Sequence, residues 1–155
     1  MWEASLHGPH PVHRGANMFV VDRSTCTLVN PQNFDTWGNP YAAGQLSEYI
    51  GGLSNGTLLV GISCDDASLH LAAAEATLAE LGADVSDVQS RGAWAFVAVK
   101  GDPSKTVLDK ELTAASALLR DPIVTVTATL AGALSYPLLQ HDFRCGGGLS
   151  FFLKS

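Results

Sequence analysis

Charge is scarce in this chain, and its balance is wrong for a nucleic-acid partner. Only 15% of the 155 residues are charged, and nine Lys and Arg stand against fifteen Asp and Glu, a formal charge of −6. Binding nucleic acid takes a basic face that neutralises phosphates, and here the basic residues are scattered singly. Long apolar runs are also missing. No stretch approaches the roughly 18–20 residues that span a bilayer. Cysteine is sparse: Cys26, Cys64 and Cys145 lie far apart and form no CxxC pair, which argues against zinc or thioredoxin chemistry. Their odd number allows one bridge plus a free thiol, or an intermolecular bridge. The opening "MWEASLHGPHPVHRG" has neither a basic n-region nor a long apolar h-region, so it does not read as a signal peptide.

The familiar signatures of catalysis are absent as well. "GGLSNG" sits between a helix and a strand and lacks the Lys-Ser/Thr of a phosphate loop. There is no G-x-S-x-G elbow and no HExxH. Gly61-Ile62-Ser63 precedes a helix, but Cys64-Asp65 follows where the elbow needs a second glycine, so Ser63 reads as a cap or turn residue. His7, His10 and His13 recur every three residues, a spacing that lines one side of a polyproline segment. Beside prolines in a terminal segment they read as solvated rather than as metal ligands. His141-Asp142 with a distant serine is no triad. Asn55-Gly56-Thr57 matches the glycosylation acceptor pattern, yet Asn-Gly is first of all a turn pair.

What remains is a globular pattern, 46% hydrophobic, of a length suited to one domain over residues 1–155. "NMFVVD" and "CTLV" read as a hairpin across "DRST", and "NPQNFDTWGNPY" as a loop. Asn39 and Pro40 are expected to start a helix whose apolar stripe is Leu46, Tyr49, Ile50 and Leu53, stopped by Gly51-Gly52. "TLLVGIS" is a buried strand. "CDDAS" then opens a second helix with Leu71, Ala74, Leu78 and Leu81 inward and Gly82 as terminator. "AWAFVAV" is apolar on both parities, so it is a strand covered on both faces. "KTVLDK" is ambiguous, "IVTVTAT" alternates as a half-exposed strand, and "LSFFLKS" reads as an edge strand. The fold class expected is α/β (α+β): mixed β-sheets flanked by two or three short helices.

Two polar groups stand at strand ends in this pattern: Asp65 (with Asp66) after "TLLVGIS", and Arg91 before "AWAFVAV". If they converge, they suit adjacent hydroxyls: the carboxylate accepts from two O–H groups and the guanidinium donates in a fixed fork. Trp94 or Trp37 would then cover the apolar face of the ring. The plainer alternative has Asp65 or Asp66 capping the helix and Arg91 in a surface ion pair.

The series "FVVDRSTCTLVNPQNFDTWGNPYAAGQLSEYI", "GTLLVGISCDDASLHLAAAEATLAELGAD", "SRGAWAFVAVKG" resembles the interleukin-like EMT inducer and pancreatic-derived factor family, over roughly residues 14–130. The same module forms the stem domain of the protein O-mannose β-1,2-N-acetylglucosaminyltransferase, where it binds terminal β-linked N-acetylglucosamine without catalytic residues. The resemblance implies a lectin for a GlcNAc-containing glycan, of terminal β-GlcNAc or N-acetyllactosamine type. It assigns the sugar to Asp65 and Arg91, with Gln32 standing where the stem has a further arginine. That exchange loses a charged donor and leaves the identity of the sugar open. No metal, cofactor or catalysis is implied. Its partners would be glycans or glycoproteins, without membrane insertion, and the protein would be secreted. A homodimer or higher oligomer would add avidity to a weak single site. Residues 131–155 have no counterpart in the resemblance and are expected to complete the fold or make an oligomer contact. The alternative is a secreted cytokine-like ligand with a receptor-binding apolar patch clear of Asp65 and Arg91.

Overall fold

The computed structural model describes residues 12–25 and 27–112, together with the backbone of three strands further on. The elements run β1 (Gly15–Asp22), β2 (Thr27–Phe34), α1 (Ala42–Gly51), β3 (Leu58–Cys64), α2 (Ala72–Glu80), β4 (Ala93–Val99), β5 (Asp102–Glu111), β6 (Thr125–Thr129), β7 (Leu139–Phe143) and β8 (Leu149–Lys154). The first five strands form one antiparallel sheet in the order β2-β1-β3-β4-β5. The last three form a second sheet, β6-β8-β7. With two helices among the described residues, this is the mixed α/β class that the patterning implies.

Strand parity distributes the core. Ala16, Met18, Leu59, Trp94, Phe96 and Ala98 share one face of the large sheet and meet Ala43, Leu46 and Ile50 of α1 and Ala74 and Leu78 of α2. Phe19, Val21, Leu58, Val60, Ile62, Ala95 and Val97 fill the opposite face and are also buried. A sheet covered on both sides explains why β3 and β4 read as continuous apolar runs. Gly61 is the one gap in β3. It pairs with Phe96, whose ring lies where a Cβ on residue 61 would be.

Four expectations need correction. β2 continues through Asn30-Pro31-Gln32-Asn33 to Phe34, in what reads as loop. Proline is tolerated there because β2 is an edge strand, and Asn30, at φ 52°, together with a register shift opposite Met18–Val20, absorbs the irregularity. α1 begins at Ala42, with the Asn39 side chain accepting from the Tyr41 N–H one turn earlier. α2 begins at Ala72 rather than at "CDDAS", because the Asp66 carboxylate is committed elsewhere. β8 is the centre of its sheet, parallel to β6 and antiparallel to β7, not an edge. The side chains of β6, β7 and β8 lie outside the described residues.

Candidate functional site

The same tripeptide, Arg-Gly-Ala, heads two strands: Arg14-Gly15-Ala16 enters β1 and Arg91-Gly92-Ala93 enters β4. Both strands pair antiparallel with β3, one on each side. The end of β3 therefore lies between the two strand heads, and the residue after it is Asp65. Topology alone places one carboxylate between two guanidinium groups.

The Arg91 Nη1 lies 3.5 Å from Asp65 Oδ1, with both side chains about half exposed. This is an ion pair, but too long for a good N–H···O hydrogen bond. Both residues have left-handed backbones, φ 58° at Asp65 and φ 59° at Arg91. Among the described residues only Asn30 shares this feature outside glycine. Such conformations are held only where neighbouring structure over-determines them, and they cluster at ligand clamps.

The restraint is Asp66, buried at 3% exposure. Its Oδ1 accepts from the Ser68 N–H (2.9 Å) and hydroxyl (2.6 Å), and its Oδ2 from the Ser90 hydroxyl (2.6 Å) and the Arg91 N–H (2.9 Å). Burial by itself pushes this carboxyl up, but the four donors outweigh it and the pKa is lowered. One carboxylate thus ties the loop after β3 to the loop before β4. Beneath it, Ser63 on β3 accepts from the Trp94 N–H at 2.9 Å and donates to the Trp94 carbonyl at 3.3 Å. Ser63 is a buried rung of the sheet, neither cap nor turn as expected.

On the other flank, Asp35 receives Arg14 through two bonds, Nε at 3.0 Å and Nη2 at 2.7 Å. It also accepts the Gly38 N–H at 2.9 Å. Arg14's hydrogen bonds bring the Asp35 carboxyl down to about 2. Arg14 is raised in turn, first by those bonds, with the charges of Asp35 and then Asp65 adding to it. The turn carrying Asp35 is docked against the Asp65 loop: the buried Thr36 hydroxyl donates to the Ala67 carbonyl at 2.8 Å, and the His70 N–H donates to the Thr36 carbonyl at 2.8 Å. Glycine at 15 is required here, since a Cβ would overlap the Phe34 carbonyl, and its φ is 101°.

Of the expected site residues, Asp65 and Arg91 are brought together. Trp37 is half-buried beside Thr36, on the turn that abuts the Asp65 loop. Gln32 is exposed on edge strand β2 and pairs with Met18, which pairs with Gly61. That row lies four residues back from Asp65, roughly 13 Å along the strand. Trp94 needs correction: it is 1% exposed and stacks on Phe96 at 5.8 Å within the core. Its parity points it at the helices, so no sugar can reach its face. Sequence reading missed Arg14, Asp35 and the bracing role of Asp66, although the repeated Arg-Gly-Ala was a usable signal for the first.

Among the described residues no cluster of three His, Cys, Asp or Glu side chains is placed to hold a metal ion. His7 and His10 lie outside the described residues, while the His13 backbone is bound to the Asn17 side chain. Asn55 and Gly56 form an exposed turn, Gly56 at φ 88°. Cys64 is disulfide-bonded. Cys26 and Cys145 lie outside the described residues.

The interleukin-like EMT inducer profile matches residues 14–102, more than half of the chain. The chain belongs to that family. A mouse cell migration-inducing and hyaluronan-binding protein is 30% identical over 99 residues, 63% of this chain but 7% of that protein. The human counterpart is 29% identical over the same length. The rat protein FAM3C is 27% identical over 103 residues, 65% of this chain and 44% of its own length. The chain therefore spans less than half the length of these curated relatives. The family segment contains both Arg-Gly-Ala strand heads, Asp35, Asp65 and Asp66.

Proposed function

We propose that this member of the family is a carbohydrate-binding protein, a lectin for a GlcNAc-containing glycan, and not an enzyme. The observation that carries the reading is the Asp65–Arg91 pair. Two complementary polar groups sit on adjacent strand ends, both with left-handed backbones, and a buried carboxylate holds the Arg91 amide. At 3.5 Å the pair leaves room for neighbouring hydroxyls to bridge it, one donating to Asp65 and the other accepting from Arg91. Trp37 and the exposed Leu69 flank the same loop and offer apolar surface to a ring face. The name of the mouse and human relatives includes hyaluronan binding, and hyaluronan is a GlcNAc-containing polysaccharide. That agrees with a carbohydrate ligand at the level of class.

The protein acts outside the cell in this reading, which the disulfide at Cys64 favours because such bonds persist in oxidising compartments. Self-association would raise the avidity of a weak single site. A glycan array tests the reading. Wild type is expected to mark terminal β-GlcNAc or N-acetyllactosamine structures, and Arg91→Ala and Asp65→Ala to lose them. An empty array, or signals that survive both substitutions, would rule it out.

A further inference from the structure

We infer that this site takes an uncharged sugar and rejects one carrying a carboxylate, and that Asp65 sets the preference. The inference rests on the carbohydrate reading above and extends it to the charge of the ligand. Two arginines at one surface ordinarily suggest an anion. Here each is already matched. Arg14 gives Nε and Nη2 to Asp35 and lies in the field of Asp65. Arg91 has the Asp65 carboxylate before it and the Asp66 carboxylate on its own amide. The described charges of the cluster are Arg14 and Arg91 against Asp35, Asp65 and Asp66, two positive and three negative. A uronate seated on Arg91 would also lie against Asp65, and like charges in contact are strongly disfavoured.

An uncharged pair of adjacent hydroxyls avoids that repulsion. It satisfies donor and acceptor together without separating the ion pair. The prediction runs against simple transfer from the relatives named for hyaluronan binding. Hyaluronan alternates GlcNAc with glucuronate, and the shared module is only 7% of those proteins.

The test is calorimetric or NMR titration of the full chain with two probes, chitotriose (neutral) and a hyaluronan tetrasaccharide (acidic). Wild type is expected to bind chitotriose about tenfold or more tightly than the acidic probe, as like-charge contact implies. Asp65→Asn is expected to close or reverse that gap, since Arg91 then faces the ligand without a competing anion. Asparagine tolerates a left-handed backbone, and Asp65→Gly serves as a second variant on the same ground. Equal or tighter binding of the acidic probe by wild type overturns the inference and leaves the lectin reading standing. A probe ratio unmoved in both folded variants overturns the role of Asp65. Failure of wild type to bind either probe overturns the inference, and the glycan array above then decides the lectin reading by itself.

Discussion

At the scale of single residues, exposure and burial separate the groups that would touch a ligand from those that hold them. Asp65 and Arg91 form a long, half-exposed pair, and such pairs contribute about 0–1 kcal/mol. Arg91→Ala is therefore expected to abolish glycan binding while shifting stability by no more than about 1 kcal/mol, as read by denaturant titration. Asp66 is the reverse case, a buried acceptor for four donors. Asp66→Ala leaves those donors unmatched and is expected to cost about 1–3 kcal/mol in the same titration. A silent Asp66→Ala would contradict its role as the brace. Asp65 and Arg91 were legible because strand ends are readable from hydrophobic runs. Asp66 was not, because nothing in a one-dimensional pattern separates the aspartate that faces solvent from the one beside it that turns inward.

At the scale of elements, strand parity does most of the positioning. It turns Trp94 and Phe96 inward, which is why the tryptophan near Arg91 in sequence does not share its exposed surface. The patterning showed that β4 is buried on both faces but could not say which face meets the helices. The antiparallel pairing of β3 with β1 and β4, which alone brings Asp65 between Arg14 and Arg91, is long-range and leaves no local trace. The second half of β2 reads as loop because Asn and Pro usually mark loops, whereas an edge strand tolerates both. Gly15→Ala puts a side chain at φ 101° against the Phe34 carbonyl. It is expected to cost about 1–3 kcal/mol, read as a lowered denaturation midpoint; an unchanged midpoint would contradict the close approach.

At the scale of the whole molecule, a recurring device sets the acid response. Asp22-x-Ser24, Asp66-x-Ser68, Asp84-x-Ser86 and Asp102-x-Ser104 each place a serine hydroxyl on the carboxylate two residues before it. All four carboxyls are lowered, as is Asp35 under the hydrogen bonds of Arg14. Their folded values lie below the ordinary 3.8. The stabilisation is thus present in full above that pH and is lost as pH falls from about 4 toward 2. The thermal midpoint should drop across that window; a flat profile there would contradict the bonding. Family membership and the Asp65–Arg91 geometry then meet in one claim, that a glycan is held where β3 ends between the heads of β1 and β4. A crystal structure of the chain with methyl β-N-acetylglucosaminide bound measures this most directly. The sugar is predicted to sit with adjacent hydroxyls on the Asp65 carboxylate and the Arg91 guanidinium, whereas a sugar lodged elsewhere, or a site left vacant at saturating ligand, would contradict the account.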